Sequence, residues 1–179
     1  MDLVARSRIV RSTYFGSIVN PLRKIGITAN HLTFLSLIFG LLSIWFLFDN
    51  HFYFVFFGLF HLLMDSLDGV LARSTKVTLF GKHFDTISDN LLVVLLLVKS
   101  HSVLGHWLYA AAAFFYAVML GFYLLSRAPP LFMRTVTFIG YFLQLFFLSA
   151  TVVGIASIIG ILLQLNYHST FFKPRRKPM

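Results

Sequence analysis

The chain has 179 residues, of which 58% are hydrophobic and 12% are charged. A soluble domain of this size does not carry so much apolar surface, so the composition predicts a polytopic membrane protein and excludes an ordinary soluble enzyme. The sequence has no cysteine, which excludes disulfides, thiolate metal sites and cysteine nucleophiles.

The first 28 residues precede the long apolar segments and, unlike them, mix basic with apolar residues. Between Ile9 and Ile27, apolar residues recur at helical spacing among arginines and a lysine. This pattern predicts an amphipathic helix lying in the membrane interface. The alternative is a basic, loosely ordered tail.

Six membrane-spanning helices are predicted after this segment. A span needs about 20 mostly apolar residues to cross a hydrocarbon core of about 30 Å. The predicted spans are 30–48, 52–73, 81–99, 103–125 and two shorter spans within 133–167, which meet near residues 149–151. The sequence therefore predicts an all-α fold in three parts: an interfacial segment (1–28), a six-helix transmembrane catalytic domain (29–171) and a basic cytoplasmic tail (172–179).

The distribution of positive charge predicts the orientation. Six spans place both termini on one side, and 14 of the 15 lysines and arginines then fall on that side, with only Lys99 opposite. Because cytoplasmic loops are enriched in lysine and arginine, both termini are predicted to be cytoplasmic. The net charge of +9 suits anionic lipids and substrates. Nucleic-acid binding is not expected, because the cations follow the loops of this topology.

Four of the six acidic residues, all aspartates, fall between residues 64 and 90. Asp65 and Asp68 are three residues apart, and Asp85 and Asp89 are four apart, so each pair shares one face of a helix. Four carboxylates repel one another strongly in a low-dielectric setting. Oxygen-liganded Mg²⁺ or Mn²⁺ ions between them would stabilise the cluster. The alternative, ion pairing alone, has too few nearby cations to balance all four acids.

Small residues and an arginine accompany the first aspartate pair. Gly69 and Ala72 leave room for a ligand beside the helix backbone, and the planar guanidinium of Arg73 suits a phosphate. The motif reads Asp65-x-x-Asp68-Gly69-x-x-Ala72-Arg73 and then Gly81-x-x-x-Asp85-x-x-x-Asp89. It resembles the signature of the CDP-alcohol phosphatidyltransferases and matches every fixed residue of it. Seven residues separate Arg73 from Gly81, where eight is commoner.

The resemblance implies a function and a role for each motif residue. Family members transfer a phosphatidyl-type group from a CDP-linked lipid to an alcohol and release CMP. The resemblance makes Asp65, Asp68, Asp85 and Asp89 ligands of two divalent ions, with Asp89 also the general base. It makes Gly69, Ala72, Arg73 and Gly81 contacts of the CDP moiety, with Asn30 and Thr33 as weaker candidates. It also implies a homodimer.

For Asn30 and Thr33, a purely structural role is an equal alternative: capping of the first helix by Asn30 and packing by Thr33. His61 lies four residues before Asp65, so it is expected to hydrogen-bond within its own span.

Three cations are candidates for binding the acceptor alcohol: Arg127, Arg134 and Lys82. Two arginines can hold an acceptor that carries its own phosphate, such as inositol phosphate or glycerol phosphate. The positive-inside distribution explains the same arginines equally well.

Two other functions stay open from the sequence. A CDP-lipid hydrolase would use the same metal ions but transfer the group to water. A divalent-cation channel or transporter would use the aspartates to conduct ions, but its polar residues should line the full membrane depth, whereas here they crowd at one end.

Overall fold

A computed structural model of the chain describes residues 21, 24–74, 79–126, 131 and 133–171. The regular structure in this part of the chain is entirely helical, which confirms the all-α prediction. The helices whose bounds lie within the described residues are α1 (Ala29–Phe46), α2 (His51–Ser74), α3 (Leu79–Leu104), α4 (Trp107–Ser126), α5 (Arg134–Phe142) and α6 (Phe146–Phe171). Most of the predicted interfacial segment and the whole of the predicted basic tail lie outside the described residues.

Five of these helices, α1–α4 and α6, are long and apolar enough to cross a membrane. The nine residues of α5 rise only about 14 Å at 1.5 Å per residue. The prediction of six transmembrane helices is therefore wrong in number: within the described residues there are five.

The predicted break near residues 149–151 is also wrong, because α6 runs straight through it. The hydroxyls of Ser149 and Thr151 donate to the carbonyl oxygens of Leu145 and Phe147, each at 2.9 Å. Residues of this type can satisfy their hydroxyls inside a helix and so do not have to end it. The chain turns earlier instead, at Gln144, whose φ is 60°.

The boundary between the third and fourth spans lies later than predicted. α3 continues to Leu104, and Gly105 follows with a φ of 67°. The N–H of Gly105 donates to the carbonyl oxygen of His101 at 2.9 Å. A glycine in this left-handed conformation just after a helix is a common way to end it.

The chain divides into two compact units, residues 1–89 and 90–179. In the first unit, α1 and α2 pack as antiparallel neighbours. Ser43 Oγ donates to the carbonyl oxygen of Phe54 at 2.7 Å, and Ser36 Oγ lies 2.8 Å from His61 Nδ1. Buried Gly40 and other small residues along α1 let the helices approach closely.

In the second unit, α4 and α6 run in the same direction. The rings of His106 and Phe147 lie 5.3 Å apart, and a Cβ atom added to Gly154 would lie 3.6 Å from the Cβ of Ala112. One turn or two further along both helices, Gly160 faces Met119. The contacts advance together along both helices, so α4 and α6 are parallel neighbours.

Candidate active site

Three of the four clustered aspartates come together in the first unit. Asp65 and Asp68 lie on α2 and Asp85 lies on α3, and one carboxylate oxygen from each falls within 4.8 Å of the other two. Asp68 is buried, and the other two are half-buried. Three carboxylates at this separation repel one another unless a cation lies between them.

Helix geometry explains why Asp65 and Asp68 lie together, but not why Asp85 joins them. Asp65 and Asp68 are three residues apart on a continuous helix, so their side chains share one face. Asp85 falls in the second turn of α3, near the N-terminal end of that helix. The meeting of the α2 pair with Asp85 is a tertiary contact between two helices.

Asp89 is not a member of this group of three. It lies one turn after Asp85 on α3 and is half-buried. The predicted role of Asp89 as a metal ligand stays a prediction.

A hydroxyl on α1 reaches the aspartates. Thr33 Oγ1 lies 2.7 Å from Asp68 Oδ2, and both side chains are 5% exposed. Beneath this contact, Leu32 of α1 packs with Leu67 and Leu71 of α2 in a small buried cluster. The sequence marked Thr33 as a nucleotide contact or a packing residue, and a contact with a metal-ligand candidate was not foreseen.

Arg73 lies beside Gly69 on α2. A Cβ atom added to Gly69 would lie 3.6 Å from Arg73 Nη1, which is the one described atom within 4 Å of it apart from the local helix backbone. Arg73 is exposed, and Ala72 on α2 and Gly81 on α3 are half-buried. Gly69, Ala72 and Arg73 therefore occupy the same end of α2 as Asp65 and Asp68.

Asn30 does not cap α1. Thr28 is the N-cap residue, with extended backbone angles of −99° and 161°, and its N–H donates to His31 Nδ1 at 3.3 Å. The capping explanation offered for Asn30 is therefore wrong. Asn30 lies in the first turn of the helix and is half-buried.

His61 forms hydrogen bonds across to α1. His61 Nδ1 lies 3.0 Å from the carbonyl oxygen of Ser36, and Ser36 Oγ donates to the carbonyl oxygen of His61 at 3.1 Å. Because a carbonyl oxygen only accepts, the first bond requires the hydrogen to be on Nδ1. The sequence carried no signal for this partner, which comes from a different helix.

The structure does not test the three residues predicted to bind the acceptor. Arg134 is the first residue of α5, in the second unit, and is half-buried. Arg127 and the side chain of Lys82 lie outside the described part of the chain. Their predicted role stays a prediction.

The donor set fits a hard divalent cation. Its three residues offer carboxylate oxygens only, which Mg²⁺ and Mn²⁺ prefer, whereas zinc sites draw on cysteine and histidine. Asp65, Asp68 and Asp85 are the residues that would hold such an ion.

Five apolar helices and a carboxylate cluster at one end of two of them define an integral membrane protein with a candidate divalent-metal centre. The family model of the CDP-alcohol phosphatidyltransferases matches residues 26–171, so the chain belongs to that family. The family transfers the phosphatidyl group of CDP-alcohols and depends on divalent metal. A search of curated proteins found no match.

Proposed function

We propose that the protein synthesises a phospholipid by transferring a phosphatidyl-type group from a CDP-linked lipid to an alcohol, with release of CMP. The observation that carries the proposal is the convergence of Asp65, Asp68 and Asp85, within 4.8 Å of one another, inside the region matched by the family. These are motif residues, and an oxygen-only cluster suits a pyrophosphate substrate that arrives with divalent ions.

The proposed reaction is a displacement at the β-phosphorus of the CDP-linked lipid. The acceptor oxygen forms a bond to this phosphorus, the bond from it to the bridging oxygen breaks, and CMP leaves with that oxygen. Asp89 takes the proton of the acceptor hydroxyl, a role that suits the one carboxylate outside the group of three. Divalent ions, two in our proposal, would neutralise the developing charge on the phosphates.

The remaining motif residues bind the CDP moiety. Gly69, Ala72 and Gly81 carry no side chain beyond Cβ, so the nucleotide can lie close to α2 and α3. Arg73 lies over Gly69 and is exposed, so its guanidinium can hold a phosphate with two hydrogen bonds. Asn30, in the first turn of α1, is a further candidate contact for the nucleotide.

The depth of the aspartates suits an amphipathic substrate. Asp65 and Asp68 lie 14 and 17 residues after the start of α2 at His51, or about 21 and 26 Å along the axis. A hydrocarbon core is about 30 Å thick. The aspartates are therefore near one membrane surface, where a CDP headgroup can enter while its lipid chains stay in the bilayer.

For the acceptor, we propose an alcohol that carries its own phosphate, such as inositol phosphate or glycerol phosphate. Arg127, Arg134 and Lys82 are the residues we assign to that phosphate, on charge alone. This assignment is independent of the metal centre, so its failure would leave the transferase reaction standing.

The test is CMP release by the purified full-length protein in lipid nanodiscs. The reaction contains a CDP-linked diacylglycerol, Mg²⁺ or Mn²⁺, and one alcohol from a panel with and without a phosphate group. We expect CMP to appear only when metal and a suitable alcohol are both present. Asp85→Asn should abolish this release, since it removes one of the three converging carboxylates.

Other outcomes identify other functions. CMP release without any alcohol would show a CDP-lipid hydrolase. No CMP under any condition, together with a divalent-cation flux through liposomes that contain the protein, would overturn the enzymatic proposal in favour of a transporter.

A further inference from the structure

α1 supplies none of the three converging carboxylates, yet its Thr33 touches one of them. We propose that Thr33 is a positioning residue that orients the carboxylate of Asp68 for divalent-metal binding. The inference rests on the proposed metal centre and adds a residue to it. Its basis is the buried contact of 2.7 Å between Thr33 Oγ1 and Asp68 Oδ2.

The hydroxyl of Thr33 has two acceptors within reach but only one hydrogen. Thr33 Oγ1 lies 3.1 Å from the carbonyl oxygen of Ala29 and 2.7 Å from Asp68 Oδ2. A hydrogen bond to a charged acceptor is shorter and about twice as strong as one between neutral groups. The hydroxyl of Thr33 therefore donates its hydrogen bond to Asp68, and this bond fixes the position of Asp68 Oδ2.

The packing around Thr33 keeps its hydroxyl in register with Asp68. Leu32, its neighbour in the chain, is buried against Leu67 and Leu71 on either side of Asp68. One turn further along α1, Ser36 is bonded to His61. A shift of α1 along α2 would break these contacts together, so α1 presents the hydroxyl rigidly.

The alternative role for the Thr33 hydroxyl is a direct contact with the nucleotide. Thr33 is 5% exposed, and its hydrogen is directed to Asp68. Groups that hydrogen-bond a metal ligand typically change metal affinity by about 10- to 100-fold when they are removed. A nucleotide contact instead changes the affinity for the CDP-linked lipid and leaves metal binding as it was.

Metal binding without substrate separates the two roles. Mn²⁺ binding to the full-length protein in nanodiscs, with no CDP-linked lipid present, is measured by the electron paramagnetic resonance signal of free Mn²⁺. Thr33→Val keeps the shape of the side chain and removes the hydroxyl, and Thr33→Ser keeps the hydroxyl. We expect Thr33→Val to raise the Kd for Mn²⁺ about 10- to 100-fold and Thr33→Ser to restore most of the affinity.

A matched control lies on the same helix. Ser43 is also buried and also bonds to α2, through the carbonyl oxygen of Phe54, but lies ten residues from Thr33. Ser43→Ala should leave Mn²⁺ binding unchanged. Should Thr33→Val fail to fold, Thr33→Ala compared with Thr33→Ser gives the same contrast.

The outcomes distinguish this proposal from the proposed function. Wild-type affinity in Thr33→Val, or equal losses in Thr33→Val and Ser43→Ala, would overturn the positioning role while the enzyme stands. A wild-type protein that binds no Mn²⁺ would overturn both. If the Asp85→Asn variant binds Mn²⁺ as tightly as the wild type does, the metal ion binds somewhere other than at the three aspartates. The proposed role of Thr33 would then be wrong as well.

Discussion

Asp85 and Asp89 lie one helical turn apart on α3, yet only Asp85 belongs to the group of three converging carboxylates. A general base must lie within hydrogen-bond reach of the hydroxyl it deprotonates, and a carboxylate committed to metal ions is a poor acceptor for that proton. Our proposed mechanism therefore assigns the base role to Asp89, which is not a member of that group of three.

Asp89→Asn should remove the base and leave most of the metal centre. We expect CMP release to fall by about 10²- to 10⁴-fold, the usual contribution of general base catalysis, with binding of the CDP-linked lipid largely kept. Single-turnover CMP release and equilibrium binding of the CDP-linked lipid measure the two effects. Asp85→Asn is the matched comparison and should lose Mn²⁺ binding; loss of lipid binding in Asp89→Asn would remove Asp89 from the base role.

Gly69→Ala should harm substrate binding without harming the fold. The added Cβ would meet only Arg73 Nη1, at 3.6 Å, among the described atoms beyond the local helix, so the helix has room for it. A nucleotide packed against α2 would not have that room. We expect the KM for the CDP-linked lipid to rise about tenfold or more, the equivalent of about 1.4 kcal/mol, with an unchanged melting temperature.

An unchanged KM in Gly69→Ala would show that the nucleotide does not approach α2 at Gly69. The same measurement on Gly121→Ala provides the control. Gly121 is on α4, and a Cβ atom there meets nothing described within 4 Å.

At the scale of the residue, the sequence predicted which side chains matter but not what each one touches. The aspartate spacing placed each pair on one helical face, and this held because both helices are continuous there. The contacts of Thr33 with Asp68 and of His61 with Ser36 join residues 35 and 25 positions apart, and no periodicity in either helix encodes such a pairing.

At the scale of the element, α5 is the part of the fold that hydropathy did not resolve. It is a helix of nine residues, held against α6 and against the end of α3. Tyr141 of α5 lies 2.7 Å from Ser100 of α3 through their hydroxyls, and a Cβ atom added to Gly140 would overlap Ser149 of α6. A glycine is needed where the two helices approach so closely.

Gly140→Leu should therefore separate α5 from α6. We expect a loss of stability of about 1–3 kcal/mol from overpacking, seen as a lower melting temperature of the protein in detergent. Gly121→Leu adds the same side chain at a position with no described atom within 4 Å of a Cβ and should be close to neutral. Equal effects of the two substitutions would contradict the close contact at Gly140.

Hydropathy resolved the other helices well, because each is bounded by polar or glycine-containing turns. α2 and the predicted span 52–73 agree to within one residue at each end. Hydropathy failed between 133 and 167 because an apolar run of 35 residues has no internal mark of where the chain turns.

At the scale of the whole molecule, the question is how the helices are oriented across the membrane. α4 and α6 run in the same direction. Between these two helices in the sequence, the described helix α5 has nine residues and is too short to span a membrane alone. The cytoplasmic location of both termini and of the active site stays a proposal, and five of the described helices are long enough to cross a membrane.

The absence of cysteine makes this topology directly measurable. Single cysteines are introduced by Ser7→Cys, Lys177→Cys and Ser102→Cys, and whole cells are treated with a membrane-impermeant maleimide. We expect labelling of Ser102→Cys in intact cells, and labelling of the two terminal variants only after permeabilisation. Opposite behaviour of Ser7→Cys and Lys177→Cys would show an odd number of crossings and contradict the proposal.

The sequence by itself determined the membrane class, the four long helices before residue 126, the family and the identity of the acidic residues. It could do so because hydropathy, helical spacing and a motif of fixed residues are local properties of the chain. Only the tertiary structure decided that Asp85 joins Asp65 and Asp68 while Asp89 does not, that Thr33 reaches Asp68, and that α5 is a short helix rather than a span. These features depend on distances between helices, which the packing of buried side chains sets and no single segment records.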